Sequence, residues 1–280
     1  MRILFVSTWF PYPPDNGSKI RANYLVRALS RRHDLVAVAF DREWRQKDGG
    51  DLERREVING VQVARVPVDP FRYVNAPQLA KFVSPIPLAC WPSVAMRRVV
   101  RRLTVADHYD VVVAFQLPAA SYALGMGKIL RVLDIDVSSG YQRYQAWLDA
   151  HSAIARLRHW LSWQKARRYE RRLIEGFDAC TVVAPEELDF LRKAFGGPGT
   201  QFYLSRNGVD CVRNRPGLAE TEPSGLVYNG ALTYSANYDA MRYFLTDIYP
   251  LIRQRVPEAS LTITGSLSGV DLSALALDES

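Results

Sequence analysis

Two short stretches gather hydrogen-bond donors and carboxylates densely enough to bind an anion or handle a proton. The first is Asp15-Asn16-Gly17-Ser18-Lys19-Ile20-Arg21, where the apolar run Arg2 to Thr8 has passed through a proline-rich loop into residues at helical spacing. A helix that opens at Gly17 presents unpaired backbone N–H groups and the positive end of its dipole. A glycine there lets the backbone approach a ligand closely. With Ser18, Lys19 and Arg21 as further donors, this is equipment for holding an anion such as a phosphate; the same residues also read as an ordinary capped helix start. The second stretch is Asp134-Ile135-Asp136-Val137-Ser138, directly after the apolar run Ile129 to Leu133. Its two carboxylates could orient hydroxyl groups or take up a proton; a solvated turn or a helix cap would use the same residues. Two acids also make a poor cation site, so no metal is expected.

Other chemistries lack their patterns. GxGxxG and GxxxxGKS are both missing, which argues against a dinucleotide oxidoreductase and a P-loop NTPase. GxSxG is missing too. The four histidines, His33, His108, His151 and His159, have no mutual metal spacing. The three cysteines, Cys90, Cys180 and Cys211, form neither a disulfide framework nor a metal pattern, which points to a reducing, cytoplasmic compartment. The net charge of +7 favours anionic partners. No nucleic-acid module is legible, so phosphorylated small molecules or acidic lipids are the better candidates.

The elements that must position these residues alternate strand and helix. Apolar, β-rich runs occur at Arg2 to Thr8, Leu35 to Phe40, Val61 to Val66, Asp110 to Phe115, Ile129 to Leu133 and Ala179 to Val183. Continuous apolar runs of this kind suit the centre of a parallel sheet covered on both faces. Ser205 to Ser224 is polar and aperiodic, after which a strand (Gly225 to Tyr228), a helix (Ala236 to Gln254) and a strand (Ser260 to Thr264) restart the pattern. The expected organisation is α/β, with a doubly wound domain over residues 1–205, a linker over 206–224 and a second, incomplete Rossmann-like domain over 225–280. The opening MRILFVSTWFPYPP reads as a first strand rather than a signal peptide.

The segment ILFVSTWFPYPPDNGSKIRANYLVRALSRRHDLVAVAF resembles the start of GT-B glycosyltransferases of the large, retaining family four, with Pro11, Pro13, Gly17, Arg21, Leu29 and His33 at matching positions. RVLDIDVSSGYQRY, YERRLIEGFDACTVVAPEELDFLR and GLVYNGALTYSANYDAMRYFLTDIYPLIRQRVPEASLTITG are similar to later parts of the same pattern. RNGVD resembles its P-N-G-V-D hinge, with Arg206 in place of proline. The likeness is greatest to the exopolysaccharide branch. It implies retaining transfer of sugar from a nucleotide-sugar donor to a saccharide or lipid-linked acceptor. Gly17, Ser18, Arg21, Asn207 and Gly230 would lie on the donor phosphate side, Asp134 and Asp136 would be catalytic, and Gln116 and Ser138 would face the acceptor. Gln116 stands where many members carry histidine. The family's paired-glutamate donor element would lie beyond Ser280, so the resemblance implies a C-terminally shortened chain. A nucleotide-sugar epimerase of the same fold and a non-catalytic acceptor- or membrane-binding module are the alternatives.

Two stretches combine aromatics with arginines. Lys81 to Leu103 carries Phe82, Trp91, Arg97, Arg98, Arg101 and Arg102. Ala153 to Phe177 carries Trp160 and Trp163 among seven Lys and Arg residues. Each reads either as a helix packed on the sheet with its arginines in water, or as a surface that docks peripherally on an anionic membrane at its inner face.

Overall fold

The computed structural model describes residues 1–41, 54–70, 84, 93–196, 199–218 and 220–275. These form two compact units, Met1–Gly208 and Val209–Ser280.

The first unit is built on an eight-stranded sheet of β1 (Arg2–Ser7), β2 (Asp34–Phe40), β3 (Arg54–Ile58), β4 (Val61–Val66), β5 (Val111–Phe115), β6 (Leu130–Asp136), β7 (Ala179–Val182) and β8 (Gln201–Leu204). Their order across the sheet is β3-β4-β2-β1-β5-β6-β7-β8. All neighbours run parallel except β3 and β4, an edge hairpin turned by Asn59 and Gly60 at φ 51° and 80°. Side chains alternate between two cores. Ile3 and Phe5 pack with Ala22 and Val26 of α1 (Gly17–Ser30) on one face. Leu4 and Val6 share the other face with Met96, Val99, Val100 and Leu103 of α2 (Val94–Ala106). Burial of each such aliphatic or aromatic side chain contributes about 1.5–3 kcal/mol. Further helices are α3 (Leu117–Ala123), α4 (Ser139–Leu148), α5 (Ala153–Ile174) and α6 (Pro185–Phe195).

The winding fixes where a ligand can sit. From β1 the chain moves outward through β2 to the β3–β4 hairpin, then returns to add β5, β6, β7 and β8 on the other side. β1 and β5 therefore flank a switch point, and the crevice of such a sheet opens beyond the carboxyl ends of those strands. Gly17 at the start of α1, Gln116 just after β5, and Asp134 and Asp136 at the end of β6 all lie at that edge.

The second unit holds a parallel pair, β9 (Gly225–Asn229) and β10 (Ser260–Thr264), over a small core of Leu232, Met241 and Leu275. The single helix expected over 236–254 is divided into α7 (Ser235–Tyr243), a π turn (Phe244–Ile248) and α8 (Tyr249–Arg255). Pro250 supplies the reason: it has no N–H to donate and its ring displaces the preceding turn, so the ladder widens before it.

Four elements of the first unit went unpredicted. β3 is a charged edge strand, β8 is short and mostly exposed, and α3 and α4 are short helices for which the sequence raised no expectation. The arginines of α2 stand in water while its apolar side packs on the sheet. Most of Lys81 to Trp91, with Cys90, lies outside the described residues.

Candidate active site

The site starts from the first turn of α1. Asn16, in extended conformation at φ −144°, caps the helix by accepting from the backbone N–H of Lys19 at 3.0 Å. Lys19 turns back to Asp15 at 3.0 Å. Gly17 is exposed, its φ lies outside the left-handed region, and a β-carbon added to it would meet nothing within 4 Å among the described residues. Nothing in the fold requires a glycine there, and the position borders open space.

Arg21, one turn on, is placed differently from the expectation that it faces a phosphate. It is 7% exposed and its guanidinium is fully engaged. Nε and Nη2 donate to the two oxygens of Asp134 at 3.0 and 2.7 Å, and Nη1 donates to Asn207 Oδ1 at 2.9 Å. A buried guanidinium is tolerable only when its charge is paired and its fork of donors is used, and a carboxylate at the end of β6 matches that fork. Thr181 on β7 gives Asp134 a third donor at 2.8 Å. Asp134, 3% exposed, is thus neither a solvated turn nor a cap. It is the pivot that ties α1 to β6 and β7, and through Arg21 to the segment carrying Asn207.

Asp136 is held in a separate network. Its Oδ2 accepts from Ser18 Oγ at 3.2 Å and from Gln116 Nε2 at 2.9 Å. Gln116 Nε2 also reaches Ser18 Oγ at 2.9 Å, and Trp9 Nε1 orients the amide by donating to Gln116 Oε1 at 3.0 Å. Both Gln116 and Asp136 have positive φ, 68° and 58°. Gln116, with ψ 155°, occupies a region used almost only by glycine. Such strain costs about 1–3 kcal/mol per residue and gathers at functional sites. Here it turns the ends of β5 and β6 so that both side chains converge on the start of α1. Asp136 Oδ1 lies 4.0 Å from Arg21 Nε, so that oxygen feels a positive charge without a close hydrogen bond to it.

Ser138 is fully buried, and its hydroxyl serves the fold. It caps α4 by accepting from Tyr141 N at 3.0 Å, and it donates to Glu170 at 3.3 Å. Glu170, on α5, also accepts from Ser139 Oγ and Gly140 N, both at 2.7 Å. A β-carbon on Gly140 would lie 2.3 Å from a Glu170 oxygen, so this close approach requires the glycine. Glu187, in the first turn of α6, accepts from Ser138 N at 3.3 Å. Burial raises the pKa of both glutamates above the ordinary carboxylate value, that of Glu170 against the pull of its three donors. Sequence reasoning missed both: they sit in helices far along the chain, and the signal that could have found them is a carboxylate on an otherwise apolar helix face, Glu170 beside Ala166, Leu173 and Ile174, and Glu187 beside Leu188 and Leu191.

Gly230 belongs to the second unit. Its N–H donates to Thr264 O at 2.9 Å, and its carbonyl carbon would lie 2.7 Å from a β-carbon on Gly265. Among the described residues, no group of three His, Cys, Asp or Glu side chains could hold a metal ion.

The doubly wound, mostly parallel sheet of the first unit fits the Rossmann-like N-terminal domain of the GT-B fold. The chain belongs to the glycosyl transferase 4-like domain family, whose pattern matches residues 16–208. Similar solved structures include sucrose-phosphate synthase from Thermosynechococcus elongatus, at 15% identity and TM-score 0.59, covering 95% of this chain and 70% of that one. The catalytic domain of starch synthase IV from Arabidopsis thaliana, bound to ADP and acarbose, has 12% identity and TM-score 0.51 over 94% of this chain and 68% of its own. UGT2 of Phytolacca americana, complexed with UDP-2-fluoro-glucose and pterostilbene, has 11% identity and TM-score 0.51 over 95% and 71%. At these identities the likeness is one of fold. No curated protein matches the sequence.

Proposed function

We propose that the chain serves a retaining glycosyltransferase of polysaccharide assembly, moving a sugar from a nucleotide-sugar donor to a saccharide or lipid-linked acceptor. The observation that carries the reading is Gly17, a glycine at a helix N-terminus that the fold does not need, bordering open space beside Ser18, Gln116 and Asp136. In this reading the donor diphosphate meets the backbone N–H groups of the first turn of α1, whose dipole favours negative charge. As the bond from the anomeric carbon to the phosphate oxygen breaks, its electron pair leaves with the nucleoside diphosphate, and those N–H groups stabilise the developing charge. An acceptor hydroxyl forms the new bond to the same carbon as its O–H bond breaks, its proton passing to the Asp136 carboxylate. Asp136 orients that hydroxyl and Gln116 fixes Asp136. Asp134 and Arg21 act as positioning residues, and Asn207 reaches the site through Arg21. Gly230 is assigned to the donor side, and Ser138 acts by capping α4 behind the acceptor. The donor class follows the nucleotide ligands of two structural neighbours.

With a lipid-linked acceptor, the chain would work peripherally at the cytoplasmic face of a membrane. Among the described residues, no helix is long and apolar enough to cross one. The test is incubation of the full chain with labelled UDP-, GDP- and ADP-sugars and a panel of saccharide and lipid-linked acceptors. Labelled product with the donor's anomeric configuration is expected. If no donor binds and none is consumed with any acceptor, the proposal fails.

A further inference from the structure

The N-terminal half of α5 does not pack on the sheet: its buried residues, Ala166, Glu170, Leu173 and Ile174, all lie in the C-terminal half. The outer half instead leans on α4 through Tyr144, Trp147 and Trp163, whose rings are 5.1 to 5.9 Å apart between centroids. This leaves one side of α5 uncovered. Ile154, Leu157 and Leu161 are 84%, 59% and 41% exposed. At 100° per residue they share a stripe with Arg158, Arg168 and Arg172, which are also exposed. From Ile154 to Arg172 the stripe is about 27 Å long at 1.5 Å per residue. Leu148, at the end of α4 beside the connecting turn, adds a further exposed apolar side chain.

Charge decides what could cover this surface. Residues 150–169 contain Arg156, Arg158, Lys165, Arg167 and Arg168 and no aspartate or glutamate. Arg158, Arg168 and Arg172 take part in none of the ion pairs among the described residues. Arg156 and Arg167 lie over the Trp147 and Trp163 rings, which holds further positive charge beside the stripe. A second copy of the same face would set these arginines against one another, which is unfavourable. An anionic lipid surface meets both features at once: aliphatic side chains enter the headgroup region and arginine heads reach lipid phosphates over their apolar stems.

We infer that the outer stripe of α5 docks the protein on anionic phospholipid, with Ile154, Leu157 and Leu161 as the inserting residues and Arg158, Arg168 and Arg172 as the charge contacts. The inference rests on the proposed function only for the presence of a membrane. Vesicle binding and sugar transfer to a soluble acceptor are measured separately, so failure of one is distinct from failure of the other.

The experiment is co-sedimentation of the full chain with phosphatidylcholine vesicles, with and without phosphatidylglycerol. Binding is expected only with phosphatidylglycerol present, and it should weaken as salt is raised. Each arginine near an anionic leaflet is worth on the order of fivefold in affinity. Arg158→Gln/Arg168→Gln/Arg172→Gln should therefore bind on the order of 100-fold more weakly. Leu157→Ser/Leu161→Ser should lose roughly tenfold or more. Both variants alter exposed positions, and unchanged circular dichroism would show that the fold persists. Equal binding to neutral vesicles, or binding unaltered in both variants, would overturn the inference. So would a concentration-dependent dimer that Leu157→Ser/Leu161→Ser converts to monomer.

Discussion

Replacing Arg21 by methionine keeps the length of the side chain and removes its charge, leaving Asp134 buried with Thr181 as its remaining side-chain donor. Removing one partner of a buried ion pair costs about 3–5 kcal/mol, because the other charge stays desolvated without compensation. The loss of the bond to Asn207 acts in the same direction. For a unit of roughly 200 residues, about 2–4 °C accompanies each kcal/mol, so the melting temperature should fall by roughly 6–20 °C. All six tryptophans (Trp9, Trp44, Trp91, Trp147, Trp160 and Trp163) lie in the first unit, so urea denaturation followed by tryptophan fluorescence reports on that unit. Arg21→Met/Asp134→Leu removes both charges and should recover most of the loss, since apolar replacements of whole buried pairs are often neutral. A single variant within about 1 kcal/mol of wild type, or a double variant no more stable than the single, would refute the view that this pair is a buried pivot.

Two further outcomes concern titratable side chains. Burial holds the Glu170 carboxyl above its ordinary range, so the folded state binds its proton more tightly than the unfolded chain does. Its contribution to stability is therefore full at acid pH and declines as pH rises through the folded value. Glu170→Gln should flatten that decline, seen as a smaller difference between urea midpoints at pH 5 and pH 7.5; an unaltered slope would contradict it. Cys211 is exposed, while Cys180 is buried with its thiol pushed up to about 12. In a Cys90→Ser background, thiol reagents at pH 8 should label one site quickly and Cys180 only on unfolding.

β1, β2 and β5 were legible because burial on both faces leaves an almost uninterrupted apolar run, and β4, β6, β7, β9 and β10 from β-rich runs that polar residues only partly break. β3, RREVI, escaped because an edge strand needs only one apolar side and its charges serve neighbours such as Arg65. The start of α1 and the acids after Leu133 were recognisable as candidate chemistry from residue type alone. Their division of labour was not. Arg21 and Asp134 are 113 residues apart, and only the crossover that sets β6 two strands from β1 brings them together. The positive φ of Gln116 was equally hidden, since a glutamine gives no local sign that it will accept a glycine's conformation.

A nucleotide-sugar seated in the open space at Gly17 would be displaced by Gly17→Val, whose β-carbon meets none of the described residues within 4 Å. Titration of the full-length variant with the nucleotide-sugar that wild type binds best should show at least tenfold weaker binding at an unchanged melting temperature. Binding equal to wild type at equal stability would contradict the account.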